Sequence, residues 1–242
     1  MSVIRKILLL VAMEVEAKAI VRKLRLFPIN GYFDPDLPMQ AYQLVSSTSL
    51  EITLVYSGKC RNFKVDRIGK ESAVLMAWES IKTFKPDLII NAGTAGGFKH
   101  KGASIGDVYI GKVLKFHDRL FHITEFVDYG IGEFTSHDLT EIAIKIGLKS
   151  GTISTGNSLM TSLQEMEQMK KNNADLKEME AAAIAEVANL KNVPMIAIKT
   201  VTDFVDEEAS TQEQFLKNYQ IALQNLSEKL ELFIHELAQL HA

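Results

Sequence analysis

Five short runs rich in leucine or β-branched residues, at positions 7–13, 51–57, 88–92, 108–115 and 195–201, are separated by stretches with helical spacing. Apolar runs of this length, closed by small or polar residues, read as buried strands. Between them, residues 69–84 place Val74, Leu75, Trp78 and Ile81 at helical steps and stop at Lys85-Pro86. Residues 179–190 form an alanine-rich helical pattern before Val193-Pro194. The last pattern sets Phe215, Tyr219, Leu223, Leu226, Leu230, Phe233, Leu237 and Leu240 at steps of three or four. That stripe predicts one long helix docked on the chain's own sheet. Alternating strand and helix predict an α/β fold: three layers, with a central mixed, largely parallel sheet flanked by helices.

The 242 residues suffice for a sizeable core in one domain spanning 1–242. There is no internal repeat, linker or break in composition, and residues 27–39, with Pro28, Pro35 and Pro38, read as a surface loop. Lys and Arg number 27 against 30 Asp and Glu, without a basic block, which argues against a nucleic-acid partner. The single cysteine, Cys60, excludes an internal disulfide and a cysteine-rich zinc site, and fits a reducing compartment, so a cytoplasmic location is expected. The apolar run 7–12 is too short for a signal peptide and meets Glu14 and Glu16, so it reads as a first strand and no membrane partner is expected. His100, His117, His122 and His137 lack ligand spacing and read as surface or satisfied polar residues; no metal and no cofactor are expected.

In parallel sheets, ligands bind outside the carboxyl ends of the strands. Glu16 follows the first run, NAGTAGG (91–97) the third, and Asp203 the last, while Glu180 opens a helix that begins on the same rim. Taken singly, Glu16 and Glu180 read as helix-start carboxylates, Asp203 as an N-cap, and 93–97 as a tight strand-to-helix turn. That turn lacks the lysine of a phosphate loop and the spacing of a dinucleotide fingerprint. Three carboxylates and a glycine-rich turn on one rim are harder to explain as separate caps. Carboxylates flanking a ribose suit glycosidic cleavage, in which one protonates the leaving group and the other handles water. A carboxylate near the sugar also stabilises an oxocarbenium-like transition state. Burial or a like charge raises the acid's pKa enough to keep its proton.

The motifs AMEVEA (12–17), NAGTAGGFKHKGASIGDV (91–108), FHDR (116–119), STGNS (154–158), EMEAAAIAEVA (178–188) and IKTVTDFVD (198–206) together resemble the 5′-methylthioadenosine/S-adenosylhomocysteine nucleosidase family. That family lies within the purine nucleoside phosphorylase and uridine phosphorylase superfamily. The likeness covers nearly the whole chain in the family's order. The run GGFKHKGASIGDV, with Lys199 where typical bacterial members carry arginine, is similar to the plant-type branch. The resemblance implies a cut between adenine and ribose in methionine salvage, with a small nucleoside and water as the partners. It implies Asp203 as the acid toward ring nitrogen 7, supported by Thr202, and Glu16 as the group handling water. Glu180 would accept from both ribose hydroxyls, with Met179 beneath the sugar. Thr94, Ala95 and Gly96 would line the ribose and base, and Leu159 with the backbone of Met160 would hold the adenine. The sequence departs from the pattern at Leu159, aromatic in some members, at Asn157, often Asp, and at Lys199, which lacks arginine's fork.

A phosphorylase of the same superfamily is the nearest alternative, but the segment Met13-Glu14-Val15-Glu16 offers no arginine and a carboxylate repels phosphate. S-adenosylhomocysteine, 5′-deoxyadenosine and aminofutalosine are alternative substrates, and a non-catalytic nucleoside-binding module is a reading from another class. Phe121, Ile123, Phe126, Val127, Tyr129, Ile131 and Phe134 crowd the segment 116–134 with few charges. From composition such a patch reads either as an interface or as part of the chain's own core, and the resemblance implies a homodimer in which this segment closes the partner's 5′ pocket.

Overall fold

A computed structural model describes residues 3–44, 50–121, 123–207 and 211–240, and of residues 211 and 212 the backbone alone. The first half runs β1 (Lys6–Val11), α1 (Glu14–Leu24), β2 (Phe27–Ile29), β3 (Gln40–Gln43), β4 (Glu51–Tyr56), α2 (Lys70–Phe84) and β5 (Leu88–Gly97). The second runs β6 (Val108–Phe116), α3 (Thr124–Ile131), β7 (Phe134–Thr135), α4 (Thr140–Lys145), β8 (Lys149–Thr155), α5 (Leu163–Lys171), β9 (Leu176–Glu178), α6 (Ala181–Leu190), β10 (Met195–Phe204) and α7 (Thr211–Gln239). No helix among the described residues is long and apolar enough to cross a membrane.

The sheet is mixed and three-layered with its helices, as the alternation predicts. β4, β1, β5 and β10 run parallel at its centre. From β10 the order continues through β6, β8 and β9, and β9 pairs back antiparallel onto β5, so five strands close a ring. β3 and β2 extend the other side antiparallel beyond β4.

The strands with continuous apolar sequence are covered on both faces. In β1, Ile7, Leu9 and Val11 face a layer formed by α1, α4 and α7, while Leu8 and Leu10 face one formed by α2 and α6. Burying each such side chain stabilises the fold by roughly 1.5–3 kcal/mol. α7 delivers the predicted stripe, with Leu226, Leu230, Phe233 and Leu237 fully buried against the sheet. α2 ends as predicted, with Lys85 in the left-handed region before Pro86.

Two sequence readings need correction, and the helix predicted at α2 buries a face other than most of its large apolar residues. On α2 the buried face is Ala73, Met76, Ala77, Ser80 and Ile81, while Val74, Leu75 and Trp78 are exposed. Small residues face inward because the alanine-rich α6 shares the same apolar layer. Residues 27–39 are not all loop, since Phe27–Ile29 pairs with β3. The glycine-rich segment 93–97 is strand rather than turn: β5 runs on to Gly97, and Gly93, Gly96 and Gly97 all lack a positive φ.

Candidate active site

The site originates in a change of neighbour along β5. One edge of that strand pairs with β1 from Leu88 to Asn91 and with β9 at Gly96 and Gly97. Between them the edge is open, and the side chain of Glu16, from the first turn of α1, fills the gap. Its Oε1 accepts from Thr94 N at 2.7 Å and Thr94 Oγ1 at 2.8 Å, and its Oε2 from Met13 N at 3.1 Å. A Cβ on Gly93 would lie 3.1 Å from Oε1, so glycine there admits the carboxylate. Glu16 is thus buried rather than solvated. Burial pushes its pKa up, opposed by the charge of Lys199 and by the Thr94 hydrogen bonds.

Glu180 lies at the start of α6 but does not cap it. That task falls to Glu178, whose carboxylate accepts from Glu180 N at 2.9 Å and from Ala181 N at 3.0 and 2.9 Å, a favourable place for negative charge. Lys199 Nζ stands 2.9 Å from Glu178 Oε2 and 3.9 Å from Glu180 Oε2, deep inside the fold. Burial opposes ionisation of Glu178, but Lys199 and hydrogen bonds from Thr155 and Glu180 hold its pKa below the usual range. Among the described residues Glu180 has only the distant end of that cation and one hydrogen bond, from Gly69 N at 2.9 Å. Burial therefore pushes its pKa up to about 7, leaving a carboxyl with spare acceptor capacity facing a cavity.

Asp203 lies within β10, just past a bulge, and the next helix begins at Thr211, so it caps nothing. Thr202 Oγ1 donates to its Oδ1 at 2.7 Å. Its register partner is Gly96, where a Cβ would lie 2.9 Å from Oδ2, so this glycine too makes room for a carboxylate. Burial raises the pKa of Asp203, while Thr202 and the charge of Lys177 pull it down.

These groups share a cavity of about 220 Å³ whose wall includes Glu16, Thr94, Ala95, Gly96, Leu159, Met179, Glu180, Thr202 and Asp203. Among the predicted residues only Met160, whose backbone the resemblance assigns to the adenine, is absent from the wall, and it is 84% exposed. Thr94 is turned first to Glu16. Sequence reasoning missed Ile68 and Phe215, which bring apolar surface to the wall, and the buried Lys177 and Glu178. A larger hollow, about 1340 Å³, is a groove between α1 and α7 that holds none of these buried carboxylates.

A sequence profile of the phosphorylase superfamily matches residues 6–235. The chain belongs to the phosphorylase superfamily. It is 39% identical, over 94% of its length and 89% of the relative's, to a 5′-methylthioadenosine/S-adenosylhomocysteine nucleosidase of Arabidopsis thaliana. An apo 5′-methylthioadenosine nucleosidase structure from the same plant matches with a TM-score of 0.94 at 37% identity, covering 97% of this chain and 96% of that one. A futalosine hydrolase of Helicobacter pylori superposes with a TM-score of 0.79 at 23% identity, covering 96% of this chain and 98% of that one, and shares the fold.

Two further positions give this superfamily member's site its frame. Asn157 lies outside the cavity wall; its Oδ1 accepts from Lys70 N at 2.8 Å and its Nδ2 donates to both oxygens of Glu71, tying the loop after β8 to the start of α2. An aspartate there would face Glu71 with like charge. His117 is neither on the surface nor satisfied: it is fully buried, Nδ1 lies 3.1 Å from Ser154 Oγ, and Nε2 has no partner among the described residues. His100 is exposed beside Asp206 and His137 is half-buried, while His122 lies outside the described residues. Burial pushes the pKa of His117 down to about 4. The unfolded chain therefore takes up a proton below pH 6.5 that the native one refuses until about 4, and stability falls as pH falls through that window. The expected loss is up to about 3 kcal/mol. Urea titrations at stepped pH should show His117→Gln flattening this acid limb, and an unchanged limb would refute the assignment.

Proposed function

We propose that this chain hydrolyses the N-glycosidic bond of 5′-methylthioadenosine, releasing adenine and the methylthio sugar. The observation that carries the reading is one cavity wall holding Glu16, Glu180 and Asp203, all buried, in a close relative of a plant nucleosidase. Glu16 is anchored at Thr94 and Asp203 beside Gly96, two residues apart on β5 and so roughly 7 Å along the strand. That spacing leaves room for a sugar carbon and an attacking water between an acid and a base, the arrangement of direct hydrolysis. Asp203 protonates the departing adenine, Glu16 orients and deprotonates the water, and Glu180 accepts from the ribose hydroxyls. Leu159, Met179, Ile68 and Phe215 supply apolar contact for the base and the 5′ group.

Hydrolysis is favoured over phosphorolysis because, among the described residues, the wall carries no arginine and its one lysine, Lys177, is already engaged by Leu159 O and Thr161 Oγ1. The test is incubation without phosphate against adenosine 5′-thioethers and aminofutalosine, following free base. Release that requires phosphate, or release only from aminofutalosine, would overturn the reading.

The working form proposed is a cytoplasmic homodimer of one-domain chains. Phe121, Ile123, Phe126, Val127 and Tyr129 stand exposed around α3, and Val74, Leu75 and Trp78 add an exposed apolar face on α2. This is more apolar surface than a monomer usually leaves in water. Ile131 and Phe134 are half-buried, and Phe134 packs edge-on against Phe116, so part of the segment serves the chain's own core. Sedimentation of active protein should give twice the 27.0 kDa chain mass. An active monomer would show that each pocket is complete in one chain.

A further inference from the structure

We propose that Lys177 is a positioning residue of this site: its ammonium pins the adenine-side loop to the strand ends and tunes the proton of Asp203 across Gly96. The inference rests on the reading of Asp203 as the acid. Lys177 is the middle residue of β9; it and Glu178 both reach the cavity wall, but alternation along that short strand turns the Lys177 side chain away from the Glu178–Lys199 pair. Its Nζ donates to Leu159 O at 2.7 Å and Thr161 Oγ1 at 2.8 Å. Two of its three protons thus hold a segment whose Leu159 side chain is otherwise exposed. Gly96 is the register partner of both Lys177, on β9, and Asp203, on β10. The three residues form one row across adjacent strands, and the middle one has no side chain to screen the outer two.

The charged and titratable groups around Lys177 are Glu165 from α5, Asp203 from β10 and His117 at the end of β6. Burial works against its charge, while Glu165 and Asp203 favour it. In return the ammonium favours the ionised form of Asp203, against the burial that raises its pKa. Removing it leaves burial less opposed, so Asp203 should keep its proton to higher pH.

The test compares Lys177→Met, Thr161→Val and Asp203→Asn in the full chain, reading thermal unfolding, KM, and the pH profile of kcat/KM. Lys177→Met is expected to raise KM about tenfold. It should also move the limb on which activity falls with rising pH upward by about one pH unit. Thr161→Val removes one loop contact but keeps the charge, so KM should rise while the limb stays in place. Unchanged KM or an unmoved limb in folded Lys177→Met overturns the proposal, provided Asp203→Asn is inactive. If Asp203→Asn is active, the reading of the acid has failed, and the proposal falls with it. Should Lys177→Met not fold, Thr161→Val decides: a KM equal to wild type overturns the loop-pinning role.

Discussion

Asp203→Asn is expected to lower turnover by about 10²-fold or more while a non-hydrolysable nucleoside analogue binds within a few-fold of wild type. The asymmetry follows from what asparagine keeps and loses. Its carbonyl oxygen still accepts from Thr202 Oγ1, and its size still fits the space left by Gly96. The amide has no proton to give to a departing base. Asp203 can hold one because it is 6% exposed and its burial outweighs the pull of Thr202 and Lys177. Steady-state kinetics with calorimetric titration of the analogue separates the two effects. Turnover within about threefold of wild type would remove Asp203 from the mechanism, and equal losses in binding and turnover would make it a binding group only.

What the sequence revealed, and what it hid, follows from where each residue finds its partner. β1 was legible because Leu8 to Val11 are buried on both faces, and a short, continuous apolar run is the pattern that such burial demands of a strand. β5 was legible only to its apolar end. Its glycines read as punctuation, yet they are strand residues where a carboxylate presses from another element, Glu16 at Gly93 and Asp203 at Gly96. β3, β8 and β9 were missed because QAYQ, KSGTIST and LKE carry no apolar run. α5 was also missed, although Ser162 and Glu165 form a capping box that its sequence spells out. The rim carrying Glu16, Glu180 and Asp203 was readable from the strand ends alone. Glu178 and Lys177 were not, because nothing local distinguishes a buried carboxylate or ammonium from a solvated one. Their burial depends on Lys199 and on Leu159 O, 21 and 18 residues away in sequence.

Lys199→Met is expected to destabilise the chain by about 3–5 kcal/mol, a large part of the 5–15 kcal/mol typical of a folded domain. Among the described residues Lys199 is the only cation within 4.0 Å of Glu178 or Glu180, and its charge also acts on Glu16. Methionine fills a similar volume, so the loss is electrostatic: three buried carboxyls would be left without a counter-charge. They respond by taking up protons, and their pKa values rise in the folded chain while the unfolded values stay near 4.5. Above the unfolded value and below the raised ones, the native chain holds protons that the unfolded chain releases. Stability of the variant therefore falls as pH rises, and its deficit against wild type should be larger at pH 8 than at pH 5. Adding Glu178→Gln should restore much of the loss, because the amide still accepts at the start of α6 and no longer needs the cation. Lys199→Arg tests geometry separately, keeping the charge but replacing a point ammonium with a planar fork. Denaturant unfolding at both pH values gives the comparison. A Lys199→Met chain within about 1 kcal/mol of wild type at pH 8 would mean that water or rearrangement already neutralises these carboxylates, and that Lys199 does not hold the site together.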